Sequence, residues 1–183
     1  MALELEGYEN VSDIFELVKR VVKRFLNRHR AGLMLGLVNL GMRRGYFIGA
    51  FYPVGSNIIV VNKAPLKIAM EKTEKRIYNS YCFLLLLHEY LHSLGYLDEE
   101  KVRELTAEVC ELAFGSRHPA TVMAKNGIAA YFPEVTHLPQ NARRAVHVKV
   151  YGPCSHTRAC RKIASGRKWL KSRDTTSKRQ NRS

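Results

Sequence analysis

Apolar residues near the start of the chain recur at helical spacing. Val11, Ile14, Phe15, Val18, Val21, Val22 and Phe25 form one stripe, with Lys19, Arg20, Lys23 and Arg24 on the opposite side. This pattern predicts an amphipathic helix over 11–30, with Asn10 or Ser12 placed to cap it. Three strand-like runs follow: 33–40, the glycine-flanked aromatic run 45–52, and the β-branched run 57–62. Gly41 and Pro53-Val54-Gly55-Ser56 separate them, spacings that suit a short, mainly antiparallel sheet. Residues 63–75 are weakly amphipathic, with Pro65 in an acceptable first-turn position. From about 76 to 94 the chain is apolar nearly all round, which predicts a central, buried helix, with Asn79-Ser80 as a division or a weak spot. Gly95 ends that helix, and Asp98 caps another that runs to Phe114 and stops at Gly115. A short helix within 120–131 and a strand within 146–151 complete the pattern. The fold class expected is α+β: an N-terminal helix, a small sheet, a buried helix, and a glutamate-bearing helix after it.

Composition adds a boundary. The chain has 183 residues, 46% of them hydrophobic, and a net charge of +14. The charge is uneven: residues 141–183 hold thirteen Lys/Arg and one acid, Asp174, leaving 17 Lys/Arg against 15 acids in residues 1–140. We therefore expect a nearly neutral domain over 1–140 and a basic, largely disordered tail over 141–183. The acidic N-terminus does not resemble a secretory signal, and the apolar runs are too short to span a bilayer. Four cysteines in a chain of this length do not form a disulfide framework. Together these features suggest a cytoplasmic protein without a membrane span.

The chemistry concentrates in the buried helix. His88-Glu89-Tyr90-Leu91-His92 is an HExxH motif, preceded by the apolar run 81–87. Histidines four apart on a helix lie about 6 Å apart along the axis and roughly 40° apart around it, so both rings reach one ion. Glu89 is placed to act on water at that ion. Two imidazoles and a carboxylate suit Zn²⁺ in a tetrahedral site with a fourth position open. The third ligand has three candidates. Asp98 completes a His88-x3-His92-x2-Gly95-x2-Asp98 string. Glu104 lies at the matching height if the two helices form an antiparallel hairpin, and Glu108 lies closer to the apolar face of its helix.

Arg103-Glu104-Leu105-Thr106-Ala107-Glu108 resembles the Glu-x-x-Ala-Asp element of gluzincin metallopeptidases, relatives of the HtpX-type and CAAX-processing proteases. That resemblance spans about residues 57–114 and implies a small zincin-like domain. It further implies His88, His92 and Glu104 as zinc ligands, Glu108 as a support for a ligand histidine, and Glu89 as the catalytic base of peptide hydrolysis. The string through Asp98 resembles the metzincin signature as a second choice. Leu91-His92-Ser93-Leu94-Gly95-Tyr96 is similar to a stretch of the bacterial YbeY family, which implies an RNA-processing hydrolase as the alternative. A non-catalytic, nucleic-acid-associated scaffold is the third reading.

The substrate expected is a peptide or protein, with the run 57–62 as a possible edge for it to pair with. The tail, Arg158 to Arg182, is suited to weak binding of nucleic acid or another acidic surface. Cys154, His156 and Cys160 offer at most three soft metal ligands, at a spacing unlike a zinc finger. Cys82 and Cys110 read as small buried apolar residues.

Overall fold

The first stripe folds as α1, Val11–Leu26, in a computed structural model that describes residues 3–41, 48–132 and 149–151. Asn10 caps α1 by accepting the Asp13 N–H at 2.9 Å, and Asn27 ends it in the left-handed region with φ of 50°. The predicted strands appear as β1 (Met34–Val38), β2 (Ala50–Phe51) and β3 (Ile58–Asn62), and β4 (Lys149–Tyr151) completes the sheet. The helices that follow β3 are α2 (Lys63–Lys72), α3 (Lys75–Ser93), α4 (Glu99–Phe114) and α5 (Pro119–Asn126). The fold is α+β. The expected boundary at residue 140, residues 42–47 of the second strand-like run, and the tail with Cys154, His156 and Cys160 lie outside the described residues.

The sheet is mixed, in the order β2-β3-β1-β4. Its two outer pairings are antiparallel, and the central pair β1–β3 is parallel, with Leu35 opposite Ile59 and Leu37 opposite Val61. The parallel pair arises because the chain passes beyond β3 to lay down β2 and then turns back. Pro53-Val54-Gly55-Ser56 makes that turn: Ser56 N–H donates to Pro53 O at 2.9 Å, and Gly55 takes φ of 82°. A positive φ at the third position is the geometry that favours glycine there. The 57–62 run is therefore internal rather than an edge; the edge strands are β2 and β4.

Leu35, Ile59 and Val61 are buried in a common core with Ile14, Val18 and Val22 of α1 and with Phe83, Leu86, Leu87 and Leu91 of α3. α3 runs unbroken through Asn79-Ser80. Both side chains are buried but satisfied: Asn79 Nδ2 donates to the carbonyls of Leu5 and Tyr8 at 2.7 and 3.0 Å, and Ser80 Oγ to Arg76 O at 2.7 Å. The break falls earlier, at Thr73-Glu74, between α2 and α3. Just before β2 the chain lies close on α3, because a Cβ at Gly49 would come within 3.0 Å of Leu85 Cδ2. Among the described residues no helix is long and apolar enough to cross a membrane.

Candidate metal centre

The end of α3 and the start of α4 form the corner that holds the site. α3 closes in a Schellman motif: Tyr96 N–H donates to Leu91 O at 3.3 Å and Gly95 N–H to His92 O at 3.0 Å. Gly95 takes φ of 97°, in the region where a residue with Cβ is strained. Asp98 caps α4 by accepting the Lys101 N–H at 2.7 Å. Glu99 is therefore the first helical residue after the corner.

Three side chains meet there. The Nε2 atoms of His88 and His92 are 3.1 Å apart. The two carboxylate oxygens of Glu99 lie 3.2 Å from His92 Nε2 and 3.4 Å from His88 Nε2. Ligand atoms at zinc's usual bond lengths, placed at the corners of a tetrahedron, are about 3.3 Å from one another. The two imidazole nitrogens, and each of them with one of the two Glu99 oxygens, stand at about that spacing, so the group could hold a single small divalent cation. Such donors suit zinc and several other first-row metals alike.

The His92 ring is oriented by the main chain. Its Nδ1 lies 2.8 Å from the carbonyl oxygen of Tyr96, which can only accept. Nδ1 therefore carries a hydrogen, which leaves Nε2, facing His88 and Glu99, as the ring nitrogen available to a metal. Burial lowers the pKa of His88; the neighbouring charge of His92 lowers it further, Glu99 raises it and Arg103 lowers it again. A neutral imidazole is the form that binds metal.

Glu89 lies beside this group, with 9% of its surface exposed. Burial pushes its carboxyl up to about 7, against the pull of His92 and of the Tyr52 backbone N–H, while Glu99 pushes it upward. Such a group can both take and return a proton near neutral pH.

His88, Glu89 and His92 thus come together as the spacing requires. Glu104 does not join them: its side chain is exposed, and its carboxylate pairs with Lys101 Nζ at 3.1 Å. Asp98 is occupied with the cap, and Glu108 is exposed. The reason lies in His92. Its ring is drawn to the Tyr96 carbonyl, so the Nε2 atoms of the two histidines face the corner, where α4 begins. Glu104 stands five residues further on, about 7.5 Å along the axis and roughly 140° around it. Glu99 was missed by matching helix heights; its signal is its place directly after the Asp98 cap.

Other buried polar groups near these helices take structural parts. Tyr90 is buried against Phe15, with ring centroids 6.1 Å apart, and its hydroxyl accepts the Arg30 N–H at 2.9 Å. His118 stacks on Phe114 and caps α5 by accepting the Ala120 N–H. Cys82 and Cys110 are buried, and burial pushes each thiol up to about 12.

Comparison of the chain with models of known protein families, with curated proteins and with solved structures finds no match.

Proposed function

We propose that the protein is a zinc-dependent hydrolase of the metallopeptidase type, with His88, His92 and Glu99 as metal ligands and Glu89 as the base. The observation that carries this reading is the His88–His92–Glu99 triangle with a buried carboxyl next to it. When bound, zinc supplies Lewis acidity and a water that ionises near neutral pH. Glu89 would take up a proton at its carboxylate as water adds to the scissile carbonyl carbon, and return it to the nitrogen as the C–N bond breaks. His92, braced by the Tyr96 carbonyl, would hold the ion through Nε2. The reaction class is hydrolysis of a peptide bond in the cytoplasm. The zincin resemblance supports the reading through His88, Glu89 and His92, and no longer through Glu104. The basic tail is proposed as a weak anchor for nucleic acid or another acidic surface.

The test uses the full chain. Metal content is measured on the wild type, His92→Ala and Glu89→Gln, followed by cleavage assays on a mixed peptide library and on RNA. The expected result is about one zinc per chain in the wild type and Glu89→Gln, none in His92→Ala, and peptide cleavage by the wild type only. Peptide cleavage unchanged in Glu89→Gln would reject the assignment of the base. RNA cleavage without peptide cleavage would replace the peptidase reading with a nuclease, and metal binding without either would leave a scaffold.

A further inference from the structure

The charge of residues 1–140 is segregated along the chain. No acid stands between Glu16 and Glu71, and residues 17–70 hold ten Lys/Arg. Residues 1–16 and 71–140 hold seven Lys/Arg and all fifteen acids. The near neutrality of this part of the chain is therefore a balance between one basic stretch and two acidic ones.

The densest part of the basic stretch lies on α1 and just after it. Ile14, Val18, Val21 and Val22 turn into the core, so positions 20, 23, 24 and 27 share the opposite face. Arg20, Lys23, Arg24 and Asn27 are exposed there, and the exposed Arg28 and His29 follow the helix end. Elsewhere Lys67, Lys75, Arg76, Lys101 and Lys125 each meet a glutamate. On α1, Lys19 meets Glu16 and Arg20 reaches the Tyr8 hydroxyl at 3.3 Å. Lys23, Arg24 and Arg28 meet no carboxylate among the described residues. A helix C-terminus carries about half a negative charge, which a single cation offsets. These three exceed what the end of α1 needs. Arg30 is left out of the count, because the Tyr52 hydroxyl and the Ser56 and Ser93 carbonyls take up its guanidinium.

Two of the unpaired cations lie over rings. The guanidinium carbon of Arg24 is 5.4 Å from the Phe25 ring centroid, and that of Arg28 is 5.8 Å from the Tyr96 centroid. An arginine held against a ring keeps its other face for a second flat group, such as an unstacked base. We propose that the outer face of α1, from Arg20 through Arg28, binds single-stranded nucleic acid. Arg20, Lys23, Arg24 and Arg28 meet phosphates, and the Arg24 and Arg28 planes stack on bases. This surface is distinct from the tail, and it does not depend on what the metal centre hydrolyses.

Other anionic partners fit less well. A membrane-surface helix buries its apolar side in lipid, whereas that side of α1 is spent on the core. The major groove of a duplex admits a whole helix, and α1 presents only its outer half. An acidic peptide would use the charges and leave the guanidinium planes without a partner.

Fluorescence anisotropy with the full chain and a labelled single-stranded thymidylate of about 20 nucleotides tests the surface. Lys23→Gln/Arg24→Gln/Arg28→Gln is compared with Lys67→Gln/Lys72→Gln/Lys125→Gln, which removes the same charge from α2 and α5. The tail is intact in both. The first triple is expected to lose about tenfold or more in affinity at about 0.1 M salt, and its salt slope should fall by about two, at roughly 0.7 for each phosphate contact. The control should lose less than about threefold. Arg24→Lys/Arg28→Lys keeps the charge and removes the planes, and should bind about fivefold or more weakly with an unchanged slope. Equal losses in the two triples would reduce the attraction to overall charge and overturn the proposal. Wild-type affinity in the first triple would assign binding to the tail and overturn it as well, as would wild-type affinity in the lysine pair. Losses in the first triple as large on a duplex, on poly-glutamate or on phosphatidylserine vesicles would name another partner in its place.

Discussion

Glu99 places a carboxylate oxygen 3.2 Å from His92 Nε2, although seven residues and a change of helix separate the two. The pairing makes Glu99, rather than Glu104, the carboxylate within reach of both histidines. Glu99→Gln is expected to weaken zinc binding about a hundredfold or more, because a charged ligand becomes a neutral one. Glu104→Gln, which loses only its exposed pairing with Lys101, should bind zinc as the wild type does. Competition with a chromogenic chelator at neutral pH measures both. A wild-type affinity in Glu99→Gln together with a loss in Glu104→Gln would return the ligand to the later glutamate.

His118 gives the stability of the fold a dependence on acid. Burial lowers its pKa to about 4 from 6.5; Arg76 lowers it further and Glu6 opposes the shift. Its Nδ1 accepts the Ala120 N–H at 3.2 Å, a bond that a proton on that nitrogen would abolish. Between pH 6.5 and about 4 the unfolded chain therefore binds a proton that the folded one does not. The His118 contribution is complete above pH 6.5 and is lost as the pH falls through the folded value. Asparagine also caps helices but does not titrate. His118→Asn should remove on the order of 2 kcal/mol of the stability lost on acidification. Urea unfolding of both proteins at pH 7 and pH 4.5 gives the comparison, and equal losses would contradict the assignment.

Asn62 joins three segments next to the parallel strands. Its Nδ2 donates to the carbonyls of Gly41 and Ile48, each at 2.9 Å. Its Oδ1 accepts the N–H groups of Leu40 at 3.0 Å and Ala64 at 3.1 Å, the latter capping α2. The side chain is 1% exposed, so water cannot replace the lost partners. Asn62→Ala is expected to destabilise the protein by about 2–4 kcal/mol. Asn62→Asp keeps the acceptor but turns an oxygen toward two carbonyls, and should be at least as damaging. Denaturant midpoints measure both, and a loss below about 1 kcal/mol in each would show that the bridge is weak.

Local signals were reliable where a residue acts on its own neighbourhood. Asn10, Asp98, Gly95 and Gly115 mark helix ends in the sequence and in the structure, because caps and stops act within one turn. The HExxH spacing brought its two rings together for the same reason. The difficulties came from distant partners. Asn79 looked like a break in α3, but the carbonyls that satisfy it belong to Leu5 and Tyr8, some seventy residues earlier. The run 57–62 had the composition of a strand, yet alternation does not reveal which neighbours a strand acquires, and β3 has one on each side. Glu99 was overlooked because matching rise assumes that two helices lie side by side, whereas the His92 ring is drawn toward the corner.

The group that orients His92 is a main-chain carbonyl, and every amino acid carries one. The side chain at position 96 can therefore change without altering what the ring meets. Position 95 has no such freedom, since at φ of 97° any L-residue with a Cβ would strain the turn that presents the carbonyl. The aim of the His92 imidazole is thus encoded in a residue with no side chain. A change there would disturb the centre without removing a single donor.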